Sequence, residues 1–246
     1  MTRRERVHQA LMFRDTDIVP YQVEFTHEAH RKMAEHYGDP QFHARIGNHL
    51  ALLSTRQLGK WEEVKPGYWR DEWGVVWNRT VDRDIGVVDK YLLEDGSLKG
   101  WEPPAINLPG MAKVYSSFAE DHPDEFRIVT IGFSLFERAW SLRGMAALLE
   151  DMLESPDFAH ELLERIMEWN LAQVDLAVKY DIDAIYFGDD WGSQRGIMPA
   201  LTRFPGCDCS FPFDVRTKVV NGKRCSPPIR RWRMSFNSDL AVTVPL

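Results

Sequence analysis

Long apolar runs are missing from this chain. No stretch approaches the roughly 18 consecutive apolar residues of a membrane-spanning helix. The start, MTRRERVHQALMF, lacks the basic stub, apolar core and cleavage site of a signal peptide and reads as a helix. Cysteine is scarce: there are three, Cys207, Cys209 and Cys225. No disulfide framework follows, and a cytoplasmic setting is expected. Cys207-x-Cys209 with a distant Cys225 is too sparse for a four-ligand zinc site, because no histidine lies beyond His160. His27-Glu28-Ala29-His30 spaces its histidines by three rather than the four that a zinc-binding helix needs. No metal ligand is therefore assigned. Also absent are G-x-S-x-G, G-x-x-x-x-G-K-[ST] and G-x-G-x-x-G, which leaves hydrolase-elbow, P-loop and dinucleotide readings without support. A basic excess is missing too. Lys+Arg number 30 against 37 Asp+Glu, a net charge of −7, so neither nucleic acid nor an anionic membrane is an expected partner.

What is present is globular in composition, 44% hydrophobic and 27% charged, but it is not uniform. Residues 1–199 carry 22 basic and 34 acidic side chains, a net of −12. Residues 200–246 carry 8 and 3, a net of +5, with no glutamate, all three cysteines and five of the 14 prolines. The break divides the chain into 1–199 and an atypical basic tail, 200–246.

Thr2 and Glu5 form a capping box for a first helix, with Val7, Ala10 and Leu11 on one face. Residues 18–25 (IVPYQVEF) read as a buried strand. Thr26 opens a second helix that stops at Gly38. Asp39-Pro40 opens a third, with Phe42, Ile46, Leu50 and Leu53 at helical spacing. Residues 67–100 mix aromatic and β-branched residues with Gly turns and suggest hairpins, and a proline loop covers 101–110. A strand over 127–133, a helix after Ser141, a long helix from Ser155-Pro156 to about Tyr180 and a strand over 183–188 follow. Strands alternating with helices predict an α/β fold with a parallel sheet, whose chemistry collects at strand ends.

That placement selects Glu24, Glu137, Arg138, Asp189, Asp190 and Arg195 over charges on helix faces. Glu137-Arg138 either holds a ligand carboxylate through the arginine or forms a surface ion pair. Gly132 and Ser134 before them allow close backbone approach to a ligand. Asp189-Asp190 either serve as acid and base, crowding raising one pKa, or one of them caps the following helix. Trp69, Trp73 and Trp77 form either a stacking platform or cross-strand packing in a hairpin.

Four stretches together carry a family likeness: RRERVHQAL…RDTDIVP, DEWGVVW, GFSLFERAWSLRG and DAIYFGDDWG. The chain resembles the uroporphyrinogen decarboxylase superfamily from residue 2 to about 199, the family that also includes methylcobalamin-dependent methyltransferase-like members. The resemblance implies a (β/α)8 TIM barrel, here truncated to about the first four β/α units plus an irregular tail. It implies a carboxy-lyase of porphyrin biosynthesis acting on a tetrapyrrole without a cofactor. Arginines would bind the substrate carboxylates, and an aspartate would bind the pyrrole N–H groups and stabilise the cation formed on protonation. Carried over position by position, Arg31 stands in the M-R-Q-A-G-R-Y region and Asp71 is nearest to the pyrrole-binding aspartate. Trp140 falls on the family's tyrosine and lacks its phenolic O–H, while Asp189 and Trp191 match its F-D-S-W stretch. The expected set is Asp71, Asp189 and Asp190 as catalytic groups, with Glu24, Arg31, Ser134, Glu137, Arg138, Trp140, Trp191 and Arg195 on the substrate.

Methyltransferase-like relatives would instead use a corrinoid-linked methyl donor and a zinc site of the His-x-Cys type, which this chain does not contain. An inactive truncated fragment is the third reading. The partner expected is a small molecule, with a homodimer left open. The tail is expected to lack regular helix, to pack little and to be foreign to the family, its rival reading being a basic arm that binds a partner.

Overall fold

The computed structural model describes residues 1–193, 196–197, 219–220, 223–224 and 240–245. Helix α1 (Arg3–Leu11) is closed by the expected box: Glu5 N–H donates to Thr2 Oγ1 at 3.1 Å and Thr2 N–H to Glu5 Oε2 at 2.7 Å. Helix α2 (His27–Tyr37) runs from its Thr26 cap to Gly38, whose φ of 60° ends it.

The segment between them is a correction. Residues 18–25 do not join a sheet, and Ile18 and Val19 are exposed at 49% and 81%. Pro20 has no N–H to donate, and side chains take the place of a ladder. Asn48 Oδ1 accepts from Val23 N–H at 2.9 Å, and Gln22 Oε1 accepts from Leu50 N–H at 3.3 Å.

The predicted third helix is a second correction. A 3₁₀ turn over Phe42–Ile46 stops at Gly47 (φ 76°), and Leu50–Ser54 is strand β1. Short helix α3 (Thr55–Leu58) leads into an antiparallel meander, β2 (Glu62–Lys65), β3 (Tyr68–Arg70), β4 (Val76–Asn78) and β5 (Val87–Lys90). There Trp69 faces Trp77 across β3 and β4, the hairpin alternative for the tryptophans.

The proline loop expected over 101–110 ends at Asn107, where helix α4 (Leu108–Asp121) begins. Asn107 caps it at Gly110 N–H, and Pro109 sits in the first turn, where no N–H is needed. Strand β6 (Phe126–Ile131) follows. The helix placed after Ser141 is two, α5 (Phe136–Arg143) and α6 (Met145–Glu154), divided at Gly144, whose φ of 97° no helix admits. Helix α7 (Pro156–Ala177) leads to β7 (Ala184–Asp189), and the short pairs β8 (Gly192–Ser193) with β9 (Gly196–Ile197) and β10 (Val219–Val220) with β11 (Lys223–Arg224) follow.

Strands β1, β6 and β7 are parallel neighbours, and β12 (Leu240–Pro245) lies antiparallel on β7, giving the order β1-β6-β7-β12. The fold is α/β with a parallel sheet, as expected, and no closed barrel forms among the described residues. The tail was expected to pack little, yet its residues 240–245 pair along the whole of β7; most of its other residues lie outside the description. Helices α4 and α7 cover one face of the sheet through Met111, Tyr115, Leu176 and Ala177 against Val129, Ile131 and Ile185. A second core joins the meander to α5–α7 through Trp73, Val75, Trp77, Phe136, Leu142, Leu148 and Leu162. Among the described residues no helix is long and apolar enough to cross a membrane.

At the N-terminal end of the sheet, Asp183 ties three elements together. Its Oδ2 accepts from Arg127 N–H at 2.9 Å, and its Oδ1 from Arg4 Nη2 at 2.6 Å. The Arg127 and Asp183 side chains are 3% and 4% exposed; Arg127 Nη2 also holds Asp181 at 2.7 Å, but removing the Asp183 carboxylate takes away its buried counter-charge and leaves the Arg127 N–H without its acceptor. Asp183→Ala is expected to cost about 3 kcal/mol, seen as a lower urea midpoint at unchanged m-value; an unchanged midpoint would contradict this clamp.

Candidate functional site

The opposite, carboxyl-terminal end of β1, β6 and β7 gathers most of the sequence-selected residues. The turn after β3 is built by Asp71. Its N–H donates to Val75 O at 2.9 Å, Gly74 N–H donates back to Asp71 O at 3.0 Å, and Gly74 takes the φ of 88° that this turn requires. The Asp71 carboxylate is then saturated. Oδ1 accepts from Trp73 and Val75 N–H, both at 3.0 Å, while Oδ2 accepts from Trp77 Nε1 at 3.0 Å and Arg138 Nη1 at 2.8 Å. Arg138 and Asp71 form a buried ion pair, with side chains 5% and 3% exposed, so Arg138 does not form the surface ion pair with Glu137. Arg138 binds a carboxylate of its own protein. The guanidinium also lies 5.0 Å from the Trp73 ring centroid.

Strand β6 exits through Gly132 to Phe133, a non-glycine residue at φ 51°. That costly conformation turns its ring toward Trp77 and Trp140, at 5.3 and 5.9 Å between centroids. Ser134 is buried and serves through its backbone: its N–H donates to Gly188 O at 3.1 Å, and its carbonyl accepts from Asn170 Nδ2. The next three N–H groups open α5, and Asp189 accepts all of them: Leu135 at 3.1 Å, Phe136 at 2.8 Å and Glu137 at 2.7 Å. Asp189 therefore caps a helix, but the one before it in sequence, across the β6–β7 junction. Burial pushes its pKa up, while the three N–H donors and the Trp191 side chain hold it back. Asp190 is exposed and accepts from Gly192 N–H at 3.1 Å, and Trp191 lies 6.3 Å from Phe136.

Glu137 stands between these two groups of charge. Burial, with Asp189 and Asp190 beside it, raises its pKa to about 7 against the pull of Arg56 and Arg138. Nothing in composition or spacing distinguished Glu137 from Asp189 and Asp190; its half-buried place next to two other carboxylates does.

Sequence reasoning missed Arg56. It follows β1, the strand mistaken for helix, and so looked like a helix-face charge. Its guanidinium packs over Phe133, Trp61 and Trp77 at 4.4, 5.2 and 5.2 Å from the centroids. Buried Nε and Nη2 have no hydrogen-bond partner among the described residues, an arrangement that costs about 1–3 kcal/mol per group. Burial first, then the Arg138 and Arg79 cations, lower its pKa to about 10. Glu72, whose carboxyl burial also pushes upward, lines the same small cavity with Thr55, Trp73, Gly132, Arg138 and Trp169.

Two expected residues lie elsewhere. Arg31 is on the exposed face of α2, paired with Glu28 at 2.6 Å and Glu35 at 2.5 Å. Glu24 lines an open groove of about 520 Å³ beside β1, with His30, His43 and Asn48. Arg195 lies outside the described residues, as do the three cysteines. No group of three or more metal-ligating side chains is assembled among the described residues, so zinc of the methyltransferase type finds no donor set there.

The Glu137 shift has a consequence for stability. Its folded pKa, about 7, lies above the unperturbed glutamate value of 4.5, so the folded state holds the proton longer than the unfolded chain. This contribution is complete below pH 4.5 and is lost as pH rises through 7. Glu137→Gln is expected to gain stability over the parent across that window and to hold a constant advantage above it, measured by urea unfolding from pH 4.5 to 8.5; a pH-independent difference would contradict the shift. Comparison with family models, with curated proteins and with solved structures returned no match for this chain.

Proposed function

We propose that this chain is an enzyme of the uroporphyrinogen decarboxylase type, a carboxy-lyase acting on a carboxylate-bearing tetrapyrrole. In this reading the open β1-β6-β7 sheet is part of a (β/α)8 barrel, with chemistry at the carboxyl ends of its strands. The observation that carries it is Glu137, a half-buried carboxyl group whose pKa burial and the Asp189 and Asp190 charges raise to about 7 against the pull of Arg56 and Arg138. A group so poised is half protonated at neutral pH, where a general acid is most effective.

The chemistry asked of it is protonation of a ring carbon. The ring then carries positive charge, which the nearby carboxylates oppose. Breaking the bond between the arm carbon and its carboxylate releases CO2 and leaves the electron pair as a double bond from the ring to the arm carbon; that carbon takes up a proton to become a methyl group, and the ring carbon gives back the proton it first received. The Asp71–Arg138 pair holds α5, and with it Glu137, against the meander.

Coproporphyrinogen formation from uroporphyrinogen, followed chromatographically, tests the proposal. Wild-type protein is expected to form product and Glu137→Gln to lose about 10²–10⁴-fold in kcat. No product above the blank, or an unaffected variant, would overturn it.

A further inference from the structure

The three-residue spacing of His27 and His30 on α2 suits no metal, but the fold gives His30 a different companion. Its Nε2 lies 3.2 Å from Nδ1 of His43, 13 residues on, in the 3₁₀ turn. The ring centroids are 5.2 Å apart and the planes inclined by 57°. His30 is half-buried and His43 exposed, so a solute can reach the pair. Two imidazole nitrogens on one tetrahedral ion, each at 2.0–2.1 Å from it, stand about 3.3–3.4 Å apart, and a right-angled pair stands about 2.8–3.0 Å apart. The observed separation is closer to the tetrahedral one.

Packing, rather than the contact itself, sets the two rings. Phe42, 4% exposed, is the anchor: the His30 ring lies 5.2 Å from it, Tyr37 stacks on it at 5.6 Å, and Phe25 meets it edge-on at 5.2 Å. His43 follows Phe42 in the tight turn, so burial of the phenylalanine fixes where the histidine stands. The cations beside His30 on α2 are engaged, Arg31 by Glu28 and Glu35 and Lys32 by Glu28. Both histidines line the open groove of about 520 Å³ beside β1. Arg3 binds Glu125 there at 2.8 Å, which leaves Glu24 as an excess negative charge on the groove wall. The surroundings therefore favour a cation.

We propose that His30 Nε2 and His43 Nδ1 together hold a divalent transition-metal ion, zinc being the ion that their spacing fits, and that this ion fastens α2 to the 3₁₀ turn. In the metal-free pair one ring donates its N–H to the other. Coordination needs a lone pair on both nitrogens, so the donating ring moves that proton to its own far nitrogen, with no net proton released. Water fills the remaining positions, which gives an open site rather than a closed structural one. With two protein ligands the site is compatible with the lack of any three-ligand group among the described residues. Helix α2 buries no side chain fully, so a cross-link at His30 strengthens a weak attachment. The decarboxylase reading plays no part in this site.

Nitrogen-15 NMR of the histidine rings during titration of the chelator-stripped full chain with zinc chloride tests the assignment, the two rings being identified by His30→Gln and His43→Gln. Because the rings themselves are followed, zinc taken up by the cysteines leaves the readout unchanged. In the wild type the His30 and His43 signals are expected to respond together at the same zinc concentration, and magnesium chloride, a hard cation, should leave both unmoved. In either single variant the remaining ring should need at least about tenfold more zinc, since one donor is lost. Amide hydrogen exchange in α2 should slow with zinc in the wild type and not in the variants. Rings unmoved by a tenfold excess of zinc, a remaining ring that responds at the wild-type concentration, an equal response to magnesium, or unchanged exchange in α2 would each overturn the proposal. Should a variant not fold, the wild-type titration decides alone: joint movement with zinc and none with magnesium upholds the site, and any other result overturns it.

Discussion

The Asp71 carboxylate is the interaction on which the upper half of this molecule depends. Two of its four hydrogen bonds close the turn of its own meander, and a third pins Trp77. The fourth reaches Arg138 on α5, which belongs to the parallel sheet's own crossover. The chain just beyond β5 adds further ties to α5, with Leu93 N–H donating to Leu142 O and Arg143 donating to the Leu93 and Glu94 carbonyls. Without the Asp71 bond, Glu137, adjacent to Arg138 on that helix, would lose one of the ties that fix its position. Asp189 completes the arrangement by accepting the first three N–H groups of α5, so the same helix is held at its start by β7 and along its side by the meander. Asp71 and Asp189, two of the expected catalytic aspartates, both bond to α5 and so fix the position of Glu137.

The two ends of the sheet divide their labour. At the N-terminal end, Arg4, Arg127, Asp181 and Asp183 form a network that anchors α1, with the buried Arg127 Nε left without a hydrogen-bond partner among the described residues. At the carboxyl end the charges are less well balanced: Arg56 has unsatisfied nitrogens, Glu137 and Glu72 are pushed toward their neutral forms, and Phe133 holds a strained backbone.

Much of this was legible from particular residues. Thr2 with Glu5 and Thr26 with Gly38 set α1 and α2 because caps are local chemistry. Residues 127–133 and 183–188 announced β6 and β7 because central parallel strands are apolar on both faces. Residues 18–25 misled for the same reason. Their apolar run suggested burial, yet Pro20 and the Asn48 and Gln22 side chains hold them outside the sheet. Leu50 and Leu53 fit helical spacing equally well, and only pairing with β6, remote in sequence, makes them strand. The site suffered from that error directly, since Arg56 follows β1. Burial and missing partners are properties of the folded chain, and no spacing rule announces them.

The central claim is that this strand-end cluster is an acid–base site, with Glu137 as its titrating group. Carbon-13 NMR of the chain labelled at the glutamate side-chain carboxyl, assigned by comparison with Glu137→Gln, measures that group directly. The account predicts a titration midpoint for Glu137 near pH 7. A midpoint near the ordinary glutamate value of about 4.3 would contradict it.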